Sequence, residues 1–236
     1  KKQSSELWQA VFAYYMEIWV AQLVLATISD LYSDDVEWPA ADIVSEAVKL
    51  LDVPPTKEVA TLADLIRHLQ SMQREADIAI NNTAITGRLK LRIQATPGRL
   101  VFGLPQLLAK HLPDLSSTLF VYLVDELENL TAEQQKYVNT LIRERQAPCT
   151  FKIGVRLYGM RTAETLNARE ENRENAEYEA LRLDEELRTR PESDKFKFAT
   201  DLVRRRLVES GYFPSESVDA IDLQGWFEAA QTDDPL

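Results

Sequence analysis

The run Leu119-Phe120-Val121-Tyr122-Leu123-Val124-Asp125-Glu126 constrains this chain more than any other stretch. Six apolar residues ending abruptly in two carboxylates predict a strand buried on both faces of a parallel sheet, because such strands read as unbroken hydrophobic runs. Asp125 and Glu126 then fall at the carboxyl end of that strand, where open α/β sheets bind ligands. A core strand whose following loop happens to begin with acids satisfies the same residues. The run alone leaves both readings standing.

Around it the pattern is that of a helix-rich α/β chain. Residues 6–31 are aromatic and aliphatic nearly all round, which predicts a helix packed on more than one side, with Trp8, Phe12, Tyr15 and Trp19 largely buried. Trp38-Pro39 marks a break. Amphipathic helices are expected over 40–51, ended by Pro54-Pro55, and over 62–80. Residues 89–93 alternate apolar and charged side chains, the pattern of a half-exposed strand. Pro97-Gly98 predicts a turn and 104–112 a short helix. Thr131-Ala132-Glu133-Gln134 is a capping-box signature that opens a helix to about Arg145. Strands are expected at 150–155 and 178–183, parallel to 119–124 with the latter central. An amphipathic helix from Asp194 should stop at Gly211, and the acidic end, 232–234, should be disordered. The resulting division is a helical layer over 1–80, an α/β core over 81–185, and a C-terminal helical segment and tail over 186–236.

Bulk properties exclude several classes. A formal net charge of −11 argues against a nucleic-acid platform over the whole surface; Arg204-Arg205-Arg206 is the only dense basic cluster, and such spacing suits a solvated helix face. The single cysteine, Cys149, allows no internal disulfide and fits a reducing cytosol, so a cytoplasmic protein is expected. The apolar run 18–28 is interrupted by Gln22 and too short to cross a bilayer, so no membrane association is expected. His68 has no second His or Cys at ligand spacing, Cys149 has no nearby His, and Thr150 stands where a Glu-x-Lys nuclease motif ending at Lys152 needs an acid.

In P-loop nucleotide hydrolases an apolar strand ending in Asp-Glu is the Walker B element, which this run resembles. The order here, with Asp125-Glu126 after one strand and Arg156 after the next, resembles the AAA+ and STAND superclass of ATPases. More narrowly, the segments 97–103, 119–130, 135–142 and 150–156 look like bacterial ATPases of the origin-recognition type, over about residues 60–185. The resemblance implies a P-loop NTPase-like parallel sheet carrying an extra N-terminal helical layer and C-terminal helices. It implies ATP and Mg2+ as cofactors, with Asp125 as the magnesium-coordinating acid and Glu126 as the general base. Arg156 occupies the first sensor position, where a guanidinium reaches the terminal phosphate; an exposed strand-end arginine is the alternative. Arg161, Arg169 and Arg173 fall in the segment that supplies a trans-acting arginine finger in oligomeric relatives, and nothing selects among them. Relatives act in DNA transactions and bacterial defence, so a homo-oligomer or an effector complex is the implied partner, with nucleic acid not indicated by charge.

One family element does not occur in these residues. No Gly-x-x-x-x-Gly-Lys-Ser/Thr is found; Gly98 and Gly103 are followed by Arg99 and Leu104. That loop wraps phosphates with backbone amides and neutralises them with its lysine, and in the family it precedes everything seen here. The chain is therefore expected to continue upstream of Lys1. The competing function is a nucleotide-inert interaction module that kept the ATPase fold.

Overall fold

Ser4 opens a long helix, α1 (Ser5–Leu31), by accepting a hydrogen bond from the Leu7 amide. The computed structural model describes residues 3–32 and 39–211, so the expected break at Trp38 and the expected disorder at 232–234 lie outside the described residues. The chain divides into units 1–179 and 180–236. In the first, α1 is followed by α2 (Ala40–Val48), α3 (Leu62–Thr86), α4 (Arg99–His111), β1 (Phe120–Val124), α5 (Ala132–Arg143) and β2 (Cys149–Ile153).

α1 buries two adjoining stripes. Tyr14, Ile18, Ala21 and Leu25 enter a core shared with Val44 of α2, Leu65, Leu69 and Met72 of α3, and Leu100 and Leu104 of α4. Ala13, with the half-buried Phe12, Met16 and Val20, enters a second core beneath the sheet with Val101, Phe102, Tyr137, Val138 and Leu141. The aromatic row expected on the core side lies at its margin: Trp8 is 39% and Trp19 44% exposed, while Phe12 and Tyr15 are half-buried and pack against the two cores. The reason is steric. The opposite arc holds Ala13 and Ala21, which let neighbouring helices approach closely, and a helix apolar on all sides does not announce which arc will be used. By length and composition α1 could cross a bilayer, with a mean hydropathy of 1.6 over its most apolar window, 44% of which is buried inside the protein.

β1 and β2 pair in parallel, with Tyr122 opposite Phe151 and their rings stacked at 5.3 Å. Phe120, Tyr122 and Val124 face the second core. Two expectations about β1 fail. It is not central, because the sheet has only these two strands among the described residues. Nor is it buried on both faces: Val121 is 39% and Leu123 76% exposed, because no layer among the described residues covers that side.

Residues 178–183 are not a third strand. Tyr178 makes a single bridge with Glu174, and Leu183 already begins α6 (Leu183–Thr189), whose first turn carries Asp184, Glu185 and Glu186 where acids suit the helix dipole. Residues 89–93 keep the alternating burial of a strand as far as Arg92 but find no ladder partner and stay irregular. In the second unit α6 is followed by α7 (Glu192–Glu209), after which Gly211 turns left-handed at φ 74°. The architecture is thus helix-rich α/β with a small parallel sheet.

α4 ties the layers together. It starts five residues before the predicted position, at Arg99 rather than Leu104. Its first amides are capped from α1: Gly98, Leu100 and Val101 donate to the Glu17 carboxylate at 2.5, 2.9 and 3.2 Å. Pro105 inside the helix has no N–H to give the Val101 carbonyl, and that carbonyl is taken instead by the Tyr122 hydroxyl of β1 at 2.6 Å. The helix is therefore bonded to α1 at one point and to the sheet one turn later.

Candidate functional site: the loops after the two strands

Both strands end at one place, and their following loops are laced together. The Gly154 amide donates to the Val124 carbonyl at 2.7 Å, and the Leu127 amide returns a bond to the Gly154 carbonyl at 3.2 Å. Asp125 sits directly on this junction. Its Oδ1 accepts the Glu126 amide at 2.9 Å, and the residue is exposed. A methyl on Gly154 would stand 2.6 Å from that same Oδ1, so only glycine leaves the carboxylate where it is.

Glu126 has φ 55°, the left-handed region that a non-glycine residue occupies at a cost, and a 3-10 turn (Leu127–Asn129) follows it. Leu127, 4% exposed, anchors that turn in the second core. The Asn129 side-chain Nδ2 then donates to Glu126 Oε2 at 2.8 Å, and its backbone N–H to the Glu126 carbonyl at 2.9 Å. Glu126 is thus held from the backbone and from its carboxylate, by a residue that sequence reasoning passed over. The signal was present as Asp125-Glu126-x-x-Asn129, a spacing that one 3-10 turn closes.

Arg156 reaches the same loop. Its Nε lies 3.1 Å from Glu128 Oε1 and its amide 3.4 Å from Oε2, while its side chain stays 86% exposed. An ion pair so open to water contributes little to stability. Glu128 is the acid that Arg156 meets across the two loops. Arg161 also faces this loop, donating from its guanidinium to the Glu128 carbonyl at 3.0 Å. Arg169, with φ 74°, and Arg173, whose amide bonds Glu177, occupy turns further on; no contact of either with the 125–130 loop is recorded among the described residues. Of the three candidate finger arginines, the structure brings only Arg161 to the acids' loop.

The acids suit a magnesium ion that arrives with a nucleotide. No group of three or more His, Cys, Asp or Glu among the described residues could hold a metal by itself. Mg2+ in phosphate sites is normally held by one or two carboxylates with phosphates and water completing the shell, and one exposed strand-end aspartate fits that demand.

The sequence model of the ORC-CDC6-like family matches residues 1–234. The chain belongs to the ORC-CDC6-like family. No curated protein and no solved structure matches it. As a member of the ORC-CDC6-like family it is an AAA+ ATPase-related module, of a kind that uses nucleotide and usually Mg2+. The parallel β1–β2 pair is compatible with that ORC-CDC6-like fold.

Proposed function

We propose that this chain forms part of an ATP-hydrolysing AAA+ site in which Asp125 binds the nucleotide's magnesium, Glu126 is the general base and Arg156 contacts the terminal phosphate. The observation that carries the reading is the fixed Glu126, held left-handed at φ 55° and bonded by Asn129 at the carboxyl end of a parallel strand. Magnesium supplies charge neutralisation on the phosphates. The chain's own residues do the rest. Asp125 offers an exposed carboxylate whose position the Gly154 backbone sets. Glu126 presents its carboxylate to an attacking water and takes its proton. Arg156, paired with Glu128, offers a guanidinium beside the same loop.

On this reading nucleotide state switches assembly or an attached effector. The test is phosphate release by the intact protein. Glu126→Gln keeps the shape and removes the base, so turnover should fall about 10²–10⁴-fold with ATP binding nearly intact. Asp125→Ala should instead weaken magnesium-dependent nucleotide binding. Unchanged turnover in Glu126→Gln would make the strand-end acids structural.

A second reading, a nucleotide-inert interaction module, is favoured by the bare outer face of β1, where Leu119, Val121 and Leu123 are 59%, 39% and 76% exposed. It takes the lead if the intact protein binds no Mg-ATP by calorimetry.

A further inference from the structure

Gln135 is 1% exposed and makes more bonds than any helix needs of a side chain. Its Nε2 donates to the Leu127 carbonyl at 3.0 Å and the Gly159 carbonyl at 2.9 Å, with the Leu130 carbonyl at 3.4 Å. Its Oε1 accepts the Arg161 amide at 2.8 Å. Leu127 and Leu130 belong to the loop after β1; Gly159 and Arg161 belong to the loop after β2. One primary amide, with two donors and an acceptor in a single plane, therefore pins both loops to each other and to α5. No other uncharged side chain of that length supplies both functions.

The fit is built rather than incidental. A Cβ on Gly159 would come within 2.7 Å of Glu128 Cβ and 2.8 Å of Val155 Cγ2, so the second loop touches the first at a glycine. One helical turn on, Asn139 repeats the device on the next part of the segment, donating to the Thr162 and Glu164 carbonyls at 3.0 and 2.9 Å. Buried amides that satisfy two loops at once fix their separation, because every lost bond would leave a buried polar group unpaired.

We infer that Gln135 is a positioning residue: it sets the separation between the loop that presents Glu126 and the loop that presents Arg156 and Arg161, and so governs turnover. The inference rests on the ATPase reading above. Leu127, whose carbonyl Gln135 holds, directly follows Glu126, so freeing it loosens the left-handed backbone that aims the base. Asp125 is fixed independently, by the Gly154–Val124 backbone bond at the strand end. Loss of Gln135 should therefore separate chemistry from binding.

The experiment is steady-state Mg-ATP hydrolysis by the intact protein carrying Gln135→Met, which keeps length and volume but no hydrogen bonds. We expect kcat to fall about tenfold to a hundredfold, the scale of a small misplacement of catalytic groups, with KM little changed. Gln135→Glu keeps the acceptor for Arg161 and loses the donor; it should also slow kcat, and it decides the matter if the Met variant does not fold. Hydrogen exchange gives a readout independent of turnover. The Arg161 amide should be protected in the parent protein and exchange faster in either variant. Normal kcat in both folded variants overturns the positioning role, as does an Arg161 amide that exchanges freely in the parent. A Glu126→Gln control separates the failures. If it turns over normally the ATPase reading falls and this role with it; if it is inactive while Gln135→Met is normal, only the role of Gln135 falls.

Discussion

The Tyr137 hydroxyl of α5 donates to the carboxylate of Glu17 in the middle of α1 at 2.5 Å, and both side chains are buried. Three amides at the start of α4 converge on the same carboxylate. One acid thus joins three helices, and it takes the place that an external anion or a side-chain cap would otherwise fill at the α4 N-terminus.

Glu17→Gln should destabilise the fold by about 2–3 kcal/mol, because its NH2 group would face N–H or O–H donors that then lose their acceptor. The pH dependence has a definite sign. Burial pushes the Glu17 carboxyl above its ordinary range, more than its hydrogen bonds from Tyr137 and the three amides pull it down. The folded state then holds the proton more tightly, so the stabilisation is complete below the ordinary glutamate range and is lost as pH rises through the raised value. Urea unfolding of parent and variant from acid to neutral pH should show this decline in the parent and not in Glu17→Gln.

Gly154→Ala should fold and yet lose magnesium-dependent nucleotide binding. The new methyl meets the Asp125 carboxylate at 2.6 Å, and the short side chain is what must give way. Its backbone φ is ordinary, so no conformational penalty is added. Circular dichroism near that of the parent, combined with weaker Mg-ATP binding, is the expected pair of results. Binding at parental strength would show that Asp125 is not where the metal is held.

The two sides of α1 should answer differently to truncation. Ile18→Ala empties a fully buried position and should cost about 2–5 kcal/mol, whereas Trp19→Ala removes a ring that is 44% exposed and should cost well under half as much. Equal losses from chemical denaturation would mean that the outward aromatic arc is covered in solution.

Cys149 should be silent toward thiol reagents while the protein is folded. It lies 5% exposed in the second core, and burial pushes its thiol up to about 11. The reactive thiolate is scarce at neutral pH in such a setting. Labelling should appear only with unfolding, and at the same denaturant concentration as the loss of helix signal.

These sites show where the sequence speaks plainly and where it does not. The β1–β2 pairing and the α5 capping box follow from patterns only a few residues long, and the structure has both. The start of α4 could not be read locally, because its cap is Glu17, more than eighty residues away. The orientation of α1 was hidden for a different reason: with apolar side chains on every side, pattern gives no vote, and the small residues Ala13 and Ala21 decide. Residues 178–183 failed because a short apolar run cannot show whether a ladder partner exists. In the site, Asp125, Glu126 and Arg156 were visible as types at a strand end. Asn129 was visible only as a spacing and Glu128 only as an acid of the following loop; Gln135 was not visible at all, since a residue that holds another in place carries no motif of its own.

The two-stranded sheet has a practical consequence. Among the described residues each strand keeps one edge of unpaired backbone groups, and β1 adds an apolar outer face to it, which together form a template for pairing between molecules. Concentrated solutions of the protein should scatter light increasingly with time. A single outward charge of the sign that complements Lys152, its partner in register on β2, as in Leu123→Glu, should suppress that scattering without lowering the melting temperature, and so give a tractable sample.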